Sequence, residues 1–287
     1  LNWKRRWDPF IWQDGDECHL LCLATRHGAG NRGQIWWQDD NVILHAIGPS
    51  FDALTEHDVV TPPKGFIWTA PSRFRCRGRD YLLAGINYDA GRPNQRLWMA
   101  PLDDPTEEVG QLPTAGQEMG RPGSFAWRDA SVMRVAEQEW LLFVTTGGFR
   151  WGGAPNVILF QAEDPLGRWW SRGPVIDPTL AVLFAELERP QIMRMDGRWI
   201  CWWSVWPNRH FFRAKSTVRT HIAMSTFDEP LFSRPIAQLN GAYGLQMHAG
   251  SWCTGWYWTD IDQAEGDVRI WRDDALLGHI RKCMESA

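Results

Sequence analysis

The segment FAELERPQIM, Phe184 to Met193, places Glu186, Glu188 and Arg189 just ahead of Pro190 and an apolar run. On a strand, residues two apart face the same way, so both glutamates are expected on one side, at the mouth of whatever that strand lines. Two other acids sit in comparable company: Asp8 in Trp7-Asp8-Pro9, and Asp129 in Trp127-Arg128-Asp129. Carboxyls brought together from separate segments suit acid–base and nucleophilic work. One donates a proton to a leaving oxygen while another attacks carbon or activates water, the division of labour that glycosidic cleavage requires. Crowding raises the pKa of one of them and keeps a proton available near neutrality. Arg128 and Arg189 are placed to hold the others ionised and to grip sugar hydroxyls. Each acid alone also has a plainer reading. Asp8 before a proline suits a turn, Asp129 suits a turn cap, and the two glutamates suit a surface ion pair with Arg189.

What weighs toward a shared site is a repeat. A compact run rich in aromatic and aliphatic residues recurs as ECHLLCLA from Glu17, DYLLAGIN from Asp80, EWLLFVTT from Glu139, RWICWWSV from Arg198 and GWYWTDID from Gly255. Another strand-like run precedes each (FIWQ, SRFRCR, SVMRVA, QIMRMD, HAGSW), and a third follows, such as QIWWQ, RLWMAPL, NVILFQA or VRTHIAMS. Helical periodicity is almost absent, and the 26 glycines and 18 prolines are spread along the chain. Hairpin-linked strands in units of about 57 residues predict an all-β, five-bladed β-propeller with a central funnel, one propeller over residues 1–287. A pair of β-sandwiches is the rival. In a propeller the first strand of each blade lines the channel. Aligning the units puts Asp8, Asp129 and Glu188 at the start of that strand in blades 1, 3 and 4, with Trp68 to Ser72 and roughly Gln246 to His248 in blades 2 and 5.

Composition sets the outer bounds. The net charge of −4 gives no sign of a nucleic-acid surface, and no apolar run approaches the length of a membrane span. The six cysteines show neither CxxC pairs nor zinc spacing, and several lie in apolar runs where a free thiol acts as a small core residue. The 20 tryptophans are too many to line a sugar site, so most are expected to pack between sheets.

Trp7-Asp8, Trp127-Arg128-Asp129 and Glu186-Leu187-Glu188-Arg189-Pro190 resemble, in order and spacing, the three signature motifs of the levansucrase-type fructosyltransferases, glycoside hydrolase family 68. The wider resemblance is to the five-bladed furanosidase clan that includes the family 32 invertases and inulinases. It implies Asp8 as nucleophile, Asp129 as transition-state stabiliser and Glu188 as general acid/base. It further implies Arg128 and Glu186 as sugar-binding partners, Trp7 and Trp68 as aromatic walls, and Arg209 in WPNRH as a further substrate arginine. Thr69 stands where the family has Ser, and Ala130 where it has Pro. With five units filling the 287 residues, no C-terminal β-sandwich like that of family 32 is expected within them. The resemblance implies a small carbohydrate substrate, sucrose or a fructo-oligosaccharide, and requires no metal or organic cofactor. It implies secretion, whereas the unpaired cysteines suit a reducing compartment, so localisation stays open.

The expected reaction is retaining cleavage of a β-fructofuranoside through a covalent fructosyl-enzyme. An inverting, arabinoside-type furanosidase on the same fold is the alternative, and a non-catalytic sugar-binding propeller is a third reading.

Overall fold

In blades 1 to 4 a two-residue turn sends the first strand of the unit back as a hairpin. Cys76 pairs with Arg79 across Arg77-Gly78, and Met195 with Arg198 across Asp196-Gly197, with all four turn residues at positive φ. That backbone matches the right-handed twist of a tight hairpin. The structure is a computed structural model that describes residues 3, 5–25, 41–89, 92–114, 127–148, 153–177, 184–207, 219–225, 230–232, 235–240, 242–248, 252–257 and 268–286.

These hairpins extend into five antiparallel sheets arranged as a five-bladed β-propeller. Blade 1 holds β1 (Arg5–Asp14), β2 (Glu17–Thr25), β3 (Val42–Gly48) and β4 (Thr55–Val60). Blade 2 holds β5 (Ile67–Cys76), β6 (Arg79–Asp89) and β7 (Arg92–Pro101). Blade 3 holds β8 (Trp127–Ala136), β9 (Glu139–Gly148), β10 (Gly153–Ala162) and β11 (Trp170–Pro174). Blade 4 holds β12 (Phe184–Met195), β13 (Arg198–Pro207), β14 (Arg219–Met224) and β15 (Pro235–Asn240). Blade 5 holds β16 (Ala242–His248), β17 (Trp252–Tyr257) and β18 (Val268–Arg272). Strand order within each sheet follows the chain. The ring closes where β1 packs on β16, β17 and β18.

Three local expectations need correction. The segment QIWWQ lies outside the described residues, and the third strand of blade 1 is β3. The second strand of blade 5 starts at Trp252, ahead of the expected Gly255, so the HAGSW run is split between β16 and β17. The chain also contains a helix that the repeat did not anticipate, α1 (Asp274–Ser286). Asp273 Oδ1 accepts the Leu276 N–H at 2.7 Å and caps the N-terminus of α1. Leu276, Ile280 and Met284, four residues apart, bury one stripe against the apolar cluster of blades 4 and 5.

The core is not one mass but five apolar clusters, one between each pair of neighbouring blades. Trp7, Trp12, Trp68 and Trp98 fill the space between blades 1 and 2, Trp127, Trp140 and Trp169 that between blades 2 and 3, and Trp199 and Trp203 that between blades 3 and 4. Flat indoles suit this task because adjacent blades splay apart from the axis, and one large ring fills a wedge that aliphatic side chains would leave with voids.

Candidate active site

Every inner strand carries one extra residue at the same height. The pairing slips between Trp7 and Phe10, Thr69 and Ser72, Arg128 and Ser131, Glu188 and Gln191, and Tyr243 and Gln246. These are β-bulges, which bend a strand and re-aim its side chains. The bulge residue is left-handed in four of the blades: Asp8 at φ 51°, Asp129 at 54°, Arg189 at 52° and Gly244 at 62°. A left-handed backbone at non-glycine residues is strained, and such strain clusters at functional sites.

The bulges correct the alignment of the acids. Asp8 and Asp129 occupy equivalent positions, but the residue matching them in blade 4 is Arg189, not Glu188. Glu188 lies one residue earlier, level with Trp7, Thr69 and Arg128. The three acids nevertheless converge. Arg128 Nη2 donates to Glu188 Oε1 at 2.5 Å, and its Nε lies 3.8 Å from Asp129 Oδ2. The Arg189 backbone N–H donates to Asp129 Oδ2 at 2.9 Å.

Apart from Glu188, which is partly exposed, these groups are withdrawn from bulk water. Asp8 is 8% exposed, Asp129 5%, Arg128 8% and Arg189 4%. Burial pushes the Asp8 carboxyl up to about 7, with Arg189 as the main opposing charge and Asp129 and Glu188 adding to the rise. Burial likewise raises Asp129, offset in part by Arg128 and Arg189. Among the described residues, buried Asp8 Oδ1 has no hydrogen-bond partner. Such an orphaned polar atom is costly and needs a reason.

The other expected residues have varied placements. Trp68 is not a wall of the funnel: it is 1% exposed, its indole N–H donates to Val60 O at 3.2 Å, and it packs between blades 1 and 2. Trp7 belongs to the same cluster at 5% exposure. Thr69 sits over Gly85 of its own blade, where a Cβ would come within 2.0 Å of the threonine hydroxyl. The backbone of Glu186 lies opposite Trp206 on β12, while its side chain, and all of Arg209, lie outside the described residues. The Arg189 guanidinium donates to main-chain carbonyls, Nη1 to Pro71 O at 3.2 Å and Nη2 to Pro9 O at 2.5 Å. Among the described residues, no group of three or more His, Cys, Asp or Glu is arranged to hold a metal ion.

Two contributors were not singled out from the sequence. Ser72 Oγ donates to Ala130 O at 2.7 Å and so ties blade 2 to blade 3 beside Asp129. Gln246, with its amide oriented to satisfy both neighbours, donates to Pro9 O at 3.2 Å and accepts from Arg189 Nη2 at 2.9 Å. The usable signal was their place one or two residues past each bulge. A separate cavity of about 460 Å³ lies between blades 3 and 4 at the hairpin ends of β8 and β12, lined by Leu141, Leu159 and Trp199 together with Glu139, Arg172 and Arg194. It contains none of the three acids.

No protein-family profile and no curated protein sequence matches the chain. Solved structures do. The family 32 β-fructofuranosidase of Bombyx mori superposes with a TM-score of 0.66 at 14% identity, covering 93% of this chain and 60% of the enzyme. A mutant of that enzyme in complex with sucrose gives 0.63 at 14% identity, covering 92% of this chain and 59% of its own. The family 43 endo-arabinanase from Bacillus licheniformis gives 0.60 at 15% identity over 94% of each chain. The chain thus spans about three fifths of the Bombyx mori enzyme, and its architecture is the five-bladed propeller shared by glycoside hydrolases of families 32 and 43.

Proposed function

We propose that this chain is a glycoside hydrolase of the five-bladed furanosidase type, with residues 1–287 as one catalytic propeller acting on a β-fructofuranoside such as sucrose. The observation that carries the reading is the convergence of Asp8, Asp129 and Glu188 from three blades, with Arg128 bridging Glu188 and Asp129, the charges of both acids felt at Asp8, and Asp8 Oδ1 without a hydrogen-bond partner among the described residues. In the proposed reaction Glu188 protonates the glycosidic oxygen while the ionised Asp8 attacks the anomeric carbon. The leaving sugar departs with the bonding electrons, and a fructosyl ester of Asp8 remains. Water, or a sugar hydroxyl, gives its proton to Glu188 and displaces Asp8. Asp129 stabilises the positive charge that develops on the ring. The family 68 motif resemblance and the sucrose complex of a structural neighbour support a fructoside as substrate.

A second reading is favoured by the endo-arabinanase neighbours, which share the same architecture. In that reading Asp8 serves as a base on water and cleavage inverts configuration.

The test is turnover of sucrose and of arabinan by the purified protein, beside Asp8→Ala and Glu188→Gln, with glucose and fructose followed separately. Loss of about 10²–10⁴-fold in both variants is expected, and methanol added as acceptor yields a methyl β-fructofuranoside. An excess of glucose over fructose marks transfer in place of hydrolysis. Arabinan cleavage without a methyl glycoside selects the inverting reading. No turnover of any furanoside, with sugar still bound, leaves the binding protein.

A further inference from the structure

We infer, building on that reading, that Arg189 is a positioning residue, the tie that holds the Asp8 and Asp129 segments in register across the propeller axis, and not a group that grips sugar. Its contacts reach every other blade. Nη2 donates to Pro9 O in blade 1, Nη1 to Pro71 O in blade 2, and the backbone N–H to Asp129 Oδ2 in blade 3. In blade 5, Gln246 accepts from Nη2 at 2.9 Å, and Gly244 lies alongside the side chain, with its Cβ direction 3.6 Å from Arg189 Cγ.

The need for such a tie follows from the bulges. Each one breaks the ladder and leaves main-chain groups near the axis to be satisfied by something other than the neighbouring strand. Pro9 and Pro71 follow the bulge residues of blades 1 and 2, and their carbonyls both face Arg189. In blade 3 the corresponding carbonyl, on Ala130, takes the Ser72 hydroxyl. A planar guanidinium spans two carbonyls from different blades, which a single ammonium does poorly. Since Pro9 is bonded to Asp8, holding its carbonyl fixes the carboxyl one residue away. With both Nη atoms committed and 4% exposure, the side chain is poorly placed for sugar hydroxyls.

The same guanidinium is the largest charge opposing the upward shift of Asp8, with Arg128 helping and Asp129 and Glu188 working against both. Asp8 must be ionised to attack, so activity rises as pH increases through its pKa. Removing the Arg189 charge moves that acid limb to higher pH.

The experiment compares Arg189→Met and Arg189→Lys with the wild type in kcat and KM across pH, and follows Asp8 by ¹³C NMR of aspartate-labelled protein, its resonance assigned with Asp8→Asn. For Arg189→Met the expected result is a fall in kcat of about 100-fold, a KM changed by less than about threefold, and an acid limb and Asp8 midpoint raised by about one pH unit or more. Arg189→Lys is expected to keep the limb near its wild-type place while kcat still falls at constant KM. A KM that rises tenfold or more with kcat retained overturns the inference in favour of sugar binding. An unmoved Asp8 midpoint in a folded Arg189→Met protein overturns it in favour of a merely structural role. If Arg189→Met does not fold, an unchanged kcat in Arg189→Lys overturns it. A wild type that cleaves no furanoside defeats the proposed reaction, while the NMR midpoint still decides what Arg189 does to Asp8.

Discussion

Blade 1 contains a built-in liability to acid. His19 Nδ1 and His45 Nε2 are 3.3 Å apart, one ring donating to the other, and both residues are 8% exposed. Trp12 stacks on His19 at 4.5 Å and on His45 at 5.5 Å, and His57 meets His45 edge-on at 5.4 Å. Burial first, then His19 and His57, lower His45 to about 4, with Asp58 opposing. Burial also lowers His19, opposed by Glu17 and Asp14. An unfolded histidine titrates near 6.5. As pH falls from there, the unfolded chain takes up a proton that folded His45 refuses, so stability is fully present above about 6.5 and declines toward 4. At about 1.4 kcal/mol per unit, the loss from His45 alone is roughly 3 kcal/mol by pH 4. Asp8 works in the opposite direction, because its raised pKa makes the folded state the better proton acceptor below about 7. The informative quantity is therefore the difference between wild type and His45→Gln, in which the Asp8 contribution cancels. Urea unfolding at pH 7 and pH 4.5, followed by tryptophan fluorescence, should show the wild type losing about 2–3 kcal/mol more than the variant. Equal losses in the two proteins would refute the reasoning. Because Trp12 lies on the strand that carries Asp8, the same protonation is expected to loosen the site before global unfolding.

Two further outcomes can be checked. Gly85→Ala puts a methyl 2.0 Å from the Thr69 hydroxyl and should destabilise the protein by about 1–3 kcal/mol. Adding Thr69→Ala should recover most of that, and strictly additive effects in the double-mutant cycle would contradict the contact. Five of the six cysteines are buried and Cys283 is half-buried, while burial drives the Cys253 thiol up to about 12. A thiol reagent should modify one cysteine in the native protein and six after unfolding, and two or more fast-reacting thiols would show that a buried strand is open.

Part of this architecture was legible in the sequence because it rests on short-range rules. Alternation with period two and paired turn residues mark strands and hairpins wherever they occur, and the recurrence of ECHLLCLA, DYLLAGIN, EWLLFVTT and RWICWWSV marked blades without any contact being known. The surplus of tryptophan pointed to packing between sheets, which is where Trp68, Trp127 and Trp203 lie. Asp8, Asp129 and Glu188 became candidates through similar repeat positions, an equivalence that holds for Asp8 and Asp129 and is one residue off for Glu188.

What tertiary structure decided was register. An inserted residue changes which side chain faces the axis, and nothing in Glu188-Arg189-Pro190 alone says that the bulge falls on Arg189 and not on Glu188. The partners of that arginine, Pro9, Pro71, Asp129 and Gln246, come from four other blades and meet only when the ring closes. Trp68 could face funnel or core on periodicity alone, and the wedge between blades 1 and 2 chose core. The helix Asp274–Ser286 likewise owes its place to an apolar stripe that blades 4 and 5 together complete. Local patterns determine which elements form and which faces they offer. The acids, the arginines and their charges acquire their relations from long-range closure, which no window of sequence contains.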